Sequence, residues 1–428
     1  MDTETRNVSE TFKAWLIDDP NERYLGVGQV FFLALACCLL IGNMYGAQPI
    51  ISDIAESLGI PMESSGIILT LAQAGYGAGV LLLVPLGDSF DNKRLILILL
   101  CGVALSLFLV HLVTVKTLFF TAIFCLGLCS SVVQLIIPFS TGLIRPSQRG
   151  RLISFIVAGA ALGMVLGRPL FSTLTGIIGW RVSYLAAAAA VSAIVLLFWR
   201  LMPGGQKPGE RLSYPAMFVS MGRLFAARPK VRCQVFMLLF NFTGFTLFWS
   251  SAPIMLAADL GFSHHDIAML SMASLAAPLA VMGAGMLADK GLRLAIIGFG
   301  ACLCLTAFLV TPILGLALAT MLVAVIFMDS GLNMSNVFIQ QSLLLENADA
   351  RSRLNALCIS VGFAGGSVGS FFGPYIYKHY GWTATALTGP ASAWPLSACT
   401  CGCVPRTGAT RRPERKALET ASQQKDYL

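Results

Sequence analysis

The chain has 428 residues, 56% of them hydrophobic and 12% charged, with a mean hydropathy of +0.76. A charged fraction about half that of an ordinary soluble domain excludes a water-soluble globular protein. The formal charge of +8 does not mark a nucleic-acid partner, because the basic residues are spread over loops between apolar runs and build no single face.

Residues 1–25 are polar and mixed in charge and read as a cytoplasmic N-terminal segment. The first apolar run, 27–47, is too long for a signal peptide and lacks a small-residue cleavage site, so it is a retained helix. Further runs lie at 64–86, 94–114, 117–140, 152–176, 182–202, 233–256, 266–288, 294–311, 314–338 and 354–377. Each is long enough, at roughly 20 residues, to cross the hydrocarbon core of a bilayer. No alternating ten-residue pattern recurs, which excludes an outer-membrane barrel. With residue 1 in the cytoplasm, 25 of the 29 Lys and Arg residues fall on the same side, and only Lys116, Arg181 and Lys378 fall in the opposite loops. This asymmetry orients the chain in a cell inner membrane. Arg168 is inside a span. Nine of the twelve cysteines lie in or beside apolar runs without disulfide spacing and read as small buried residues.

The chain repeats itself at half its length. Gly87-Asp88 with Lys93-Arg94 after the second span is answered by Gly285, Asp289 and Arg293 after the eighth. Arg149 and Arg151 match Arg351 and Arg353, Gly163 and Gly167 match Gly365 and Gly369, and Gly179-Trp180 matches Gly381-Trp382, all at an offset of 202. The fold class expected is therefore an all-α membrane protein of two parallel-related six-helix halves, 26–202 and 233–382, joined by a basic linker at 203–232. The counterpart of the sixth span falls in 383–428 and is interrupted by Pro390 and Pro395, so the twelfth helix is expected to be degenerate or missing. Loss of the natural reading frame near residue 389 is an alternative account of that segment. Cys399, Cys401 and Cys403 fall within it and are not read as a metal site.

The Asp88 loop, its second copy at Asp289, and Gly159-x-x-x-Gly163-x-x-x-Gly167-Arg168-Pro169 together resemble the major facilitator superfamily, particularly bacterial efflux-type members. The stretches from Leu69 to Gly79 and from Ala350 to Asn355 add to the efflux-type likeness. Two departures stand out. Val84 replaces the usual leading glycine of the loop, and Arg168 brings a charge to an otherwise neutral antiporter motif.

The resemblance implies that Asp88 sits beside the cytoplasmic start of the eleventh helix, where amide groups favour an anion, and that this contact breaks when the cytoplasmic side opens. The topological alternative is that Lys93 and Arg94 only hold the loop inside, with Asp88 offsetting their repulsion. The glycines at 159, 163 and 167 share one face and let a neighbouring helix approach closely. In the resembled fold spans 2, 5, 8 and 11 form the interface between halves, so these rows are expected to smooth a rocking contact.

Arg168 and Asp329 are the strongly charged residues well inside apolar runs. A charge there is costly, about 2.5 to 3.5 kcal/mol on insertion scales, and normally faces a cavity or a partner. Asp329 lies in the tenth span, which lines the central cavity in the resembled family, and is the candidate carrier of a coupling proton. A static ion pair between Arg168 and Asp329 is the alternative. His111 reads as interfacial. Asn43, Tyr45, Gln48, Gln73, Gln134, Asn241 and Asn333 are candidate substrate-binding residues, as polar groups within spans. Whether Gln73 meets substrate or the eleventh helix is open.

There is no phosphate-binding Gly-x-x-x-x-Gly-Lys motif and no zinc spacing, so no enzyme, metal or cofactor is expected. The expectation is a monomeric secondary transporter exporting a small organic compound in exchange for protons. Uptake of a small organic anion, with Arg168 as its partner, and a non-transporting sensor or inactive truncated product are the alternatives.

Overall fold

A computed structural model describes residues 24–88, 90–145, 147–204, 214–288, 292–346 and 351–402. Among these, helices are the only regular elements, as hydrocarbon requires of a chain that must satisfy its own backbone donors and acceptors. The membrane helices are α1 (Val27–Tyr45), α2 (Ile67–Leu82), α3 (Asn92–Leu112), α4 (Lys116–Gly142), α5 (Arg149–Ile178) and α6 (Trp180–Leu201). The second set is α7 (Pro229–Asp259), α8 (His264–Ala288), α9 (Arg293–Leu314), α10 (Leu318–Glu346), α11 (351–380) and α12 (382–402). Among the described residues, eleven helices are long and apolar enough to cross a membrane. A short helix Ile51–Ser57 follows α1, and Tyr214–Ala227 lies in the linker.

The repeat is visible in the backbone. Gly179, between α5 and α6, and Gly381, between α11 and α12, hold φ of +78° and +77°, a left-handed conformation that admits glycine readily. The helix after Gly381 begins packed on α9, with Trp382 Nε1 donating to Thr311 Oγ1 at 2.8 Å and Ala386 buried. The backbone stays helical through Pro390 and Pro395 to residue 402, so the twelfth helix is present rather than missing, though poor in apolar length.

The glycine rows correct one expectation. A methyl group on Gly159 or Gly163 would lie 2.2 or 2.1 Å from the carbonyl oxygens of Ala34 and Cys38, and one on Gly167 would lie 2.5 Å from that of Gly42. These partners belong to α1. Gly365 and Gly369 meet the carbonyl oxygens of Leu239 and Thr243 on α7 in the same way, each at 2.1 Å. Both rows therefore bind helices inside their own half, and neither forms the interface between halves. A small-residue row signals close approach without naming the helix that approaches.

The halves meet along α2 and α11. Gly66 faces Ser370, Thr70 Oγ1 donates to the Ser367 carbonyl at 3.1 Å, and Ser360 Oγ donates to the Gly77 carbonyl at 3.1 Å. Residue numbers rise on one helix as they fall on the other, so the helices cross antiparallel. A second contact joins α5 to α8, where Ser172 Oγ donates to the His264 carbonyl at 2.7 Å.

Candidate functional site

Arg168 reaches the centre of the molecule because α5 is locked against α1 through the glycine row that ends beside it at Gly167. Its side chain and that of Asp329, on α10, are fully buried. All three guanidinium nitrogens are engaged. Nη2 donates to Asp329 Oδ1, Nε to Gln48 Oε1 and Nη1 to Ser274 Oγ, each at 3.0 Å. The other carboxylate oxygen, Oδ2, accepts from Trp249 Nε1 at 3.1 Å. Aromatic rings enclose the cation: its central carbon lies 3.9 Å from the Trp249 ring, 5.3 Å from Phe245 and 5.9 Å from Tyr45. A buried charge pair is tolerable only when further hydrogen bonds support it, and here every guanidinium nitrogen donates to a protein acceptor and both carboxylate oxygens accept. The pair links a helix of the first half to a helix of the second.

Tyr45, Gln48, Arg168 and Asp329 thus come together as one cluster. The other candidates do not join it. Gln134 Nε2 donates to Tyr76 OH at 3.1 Å, and Tyr76 stacks on Phe363 of α11 at 4.4 Å. Gln73 lies on the α2–α11 crossing against Gly366, with its Oε1 unpartnered, which answers whether it meets helix 11. Asn241 Nδ2 donates to Asn336 Oδ1 at 2.8 Å, and Asn333 Nδ2 donates back to the Asp329 carbonyl at 2.8 Å. Asn43 is buried, and its Nδ2 finds no partner. His111 Nδ1 is 3.0 Å from the Arg181 carbonyl oxygen, a contact at the end of α3.

Two cavities of about 630 Å³ lie at opposite ends of the interface. One, at the basic end, is walled by Val84, Gly87 and Gln134 of the first half and by Arg353, Asn355 and Ala356 of α11. Near it, Lys93 donates to the carbonyls of Trp199 and Met202, and Asp91 caps α3 by accepting from the backbone of Lys93 at 2.9 Å and of Arg94 at 3.3 Å. The Asp88 side chain and all of Asp289 fall outside the described residues, as does the contact expected of Asp88. Gly87 is tightly enclosed by Leu135 and Asn92, whereas Gly285, its counterpart, has open space around it. The other cavity is walled by Ser52 and Met62 and by Asp259, Tyr377 and Lys378. At that end His264 Nε2 pairs with Asp53 Oδ1 at 3.1 Å, joining the start of α8 to the short helix after α1.

The profile of the Major Facilitator Superfamily matches residues 33–349. The chain belongs to that superfamily. A putative uncharacterized transporter of Escherichia coli K12, YgaY, is 28% identical over 384 residues, covering 87% of this chain and 95% of its own. The purine ribonucleoside efflux pump NepI of Salmonella paratyphi A is 25% identical over 279 residues, covering 60% of this chain and 68% of the pump. The crystal structure of a bacterial homologue of the human lysosomal transporter Spinster, inward-facing and unoccupied, superposes with a TM-score of 0.66 at 14% identity, covering 90% of this chain and 96% of that one. This member of the Major Facilitator Superfamily is accordingly a multi-pass membrane protein, a secondary transporter of small molecules and not an enzyme.

Sequence reasoning missed Trp249, Ser274, Asp53 and His264. Trp249 carried a usable signal, because Asn241, Phe245 and Trp249 recur at four-residue spacing on one face of α7. Ser274 and His264 carried none, since their partners come from the other half.

Proposed function

We propose that this Major Facilitator Superfamily member exports a small organic compound in exchange for protons, by alternating access, as a monomer in the cell inner membrane. The observation that carries the reading is the buried Arg168–Asp329 pair between the halves. Any movement that parts α5 from α10 must break it, and protonation of the carboxylate is the chemical event that releases the guanidinium. The efflux pump NepI among the relatives supports export. The basic residues around the cavity lined by Gly87 and Arg353 support a cytoplasmic assignment for that end, from which cargo would enter. Uptake of an organic anion on Arg168 is disfavoured, because Arg168 is already paired with Asp329 and each of Nε, Nη1 and Nη2 donates to a protein acceptor.

A compound that raises the melting temperature of the purified protein in a metabolite and drug screen supplies the probe. Everted vesicles carrying the protein should accumulate it when a proton gradient, acid inside, is imposed, and vesicles carrying Asp329→Asn should not. Uptake by intact cells, with none by everted vesicles, would assign import instead. An N-terminal tag accessible only from the cytoplasmic face tests the orientation.

A further inference from the structure

Trp249 touches both members of the central pair. Its indole Nε1 donates to Asp329 Oδ2 at 3.1 Å, and the Arg168 guanidinium lies 3.9 Å from its ring centroid. The ring is held from behind: Phe248 packs against it edge-on at 5.8 Å and itself contacts Phe308 and Trp382. Its position is therefore fixed by the second half, while the cation it faces belongs to the first.

The chemistry of the two contacts runs in one direction. An indole N–H only donates, so it bonds a carboxylate oxygen and cannot accept from a protonated carboxyl. The negative face of the ring attracts a cation. Both contacts favour the ionised, closed pair. We propose that Trp249 is a positioning residue that clamps Asp329 deprotonated against Arg168, so that it sets the pH at which a proton can open the pair. This rests on Asp329 being the proton carrier.

The other charged or titratable groups facing the carboxylate are Arg168 from α5, Tyr45 from α1 and Cys304 from α9. Gln48 and Ser274 occupy the remaining guanidinium nitrogens and do not compete for the carboxylate. Removing the indole N–H while keeping an aromatic face isolates the donor from the ring.

Infrared difference spectra of the full-length protein in liposomes, taken across a pH series, test this without a substrate. The wild type should show a carboxylic-acid carbonyl band that Asp329→Asn lacks. In Trp249→Phe that band should persist with its midpoint moved about one pH unit toward higher pH, as loss of a hydrogen bond to a charged acceptor implies. A band with an unmoved midpoint would overturn the role of Trp249 while leaving Asp329 as carrier. A spectrum in which Asp329→Asn removes no titrating band would overturn both. Should Trp249→Phe fail to fold by its melting curve, Trp249→Leu, which also lacks a donor, takes its place, with an upward shift at least as large expected and an unmoved midpoint again decisive against the proposal.

Discussion

The two ends of the interface between halves hold cavities of the same volume, about 630 Å³, yet they are built differently. At the end carrying Asp53, the halves are joined by backbone approach and polar bonds. Gly66 presses on Ser370, Thr70 and Ser367 exchange hydrogen bonds, Ser172 holds the start of α8, and His264 pairs with Asp53. Toward the basic end, α2 and α11 are bonded at Gly77 and Ser360. Beyond that point Val80 and Val84 face Arg353 and Ala356 across the cavity, which runs inward to Gln134 and hence to Tyr76. The bonds described between the halves thus gather at the Asp53 end, which makes it the end expected to be closed, with the central ion pair intact between the two cavities.

Substitutions graded along this contrast should separate packing within a half from contact between halves. The largest effect is expected of Gly163→Val, where the added group meets the Cys38 backbone inside the first half. Overpacking of this kind costs about 1 to 3 kcal/mol and more where backbone must move. The melting temperature should fall, with no change in which end is open. Gly66→Val meets the Ser370 carbonyl across the interface, 2.1 Å from the first added carbon. A comparable penalty there falls on the closed state alone and shifts the balance of states by roughly 5- to 150-fold. A cysteine at Ser52, on a background lacking reactive cysteines, should then be labelled much faster. Labelling at the wild-type rate would contradict the assignment of Gly66 to the closed end.

Asp53→Asn should act in the same direction but weakly. The pair with His264 is about 30% exposed on each side, at 30% and 32%. Such pairs contribute no more than about 1 kcal/mol, so the labelling rate at Ser52 should rise at most about fivefold. Gly285→Ala should do nothing measurable to transport, because nothing among the described residues lies within 4 Å of the added group. A strong effect there would show that the second loop copy closes on something in another state of the cycle.

Much of this architecture was legible in the sequence because the bilayer imposes length and polarity so strictly. The spans, the offset of 202 and the isolation of Arg168 and Asp329 in apolar runs all follow from residue type and spacing. Partners were harder to read. The glycine row at 159, 163 and 167 announced a close helix but gave no means of choosing α1 over a helix of the other half. His264 could be read locally as the first residue of a helix capped by Ser263, whose Oγ accepts from the Asp266 backbone, and nothing local pointed to Asp53. Polar residues within spans divided between the central cluster, as with Gln48, and bonds between or within helices, as with Asn241 and Asn333. Only the packed fold assigns them.

The central claim is that the Arg168–Asp329 pair is a coupling element that opens, and its most direct test measures proton flux and thermal stability together in reconstituted wild type, Asp329→Asn and Asp329→Glu. The amide imitates the protonated carboxyl and can still accept from Arg168. Asp329→Asn should therefore remain folded and bind or exchange the screened compound while losing proton-driven transport, and Asp329→Glu should keep part of it. A folded Asp329→Asn protein that still moves protons with the compound would contradict the claim. So would one destabilised by about 3 to 5 kcal/mol and rescued by neutralising Arg168, which would make the pair a fixed structural tie.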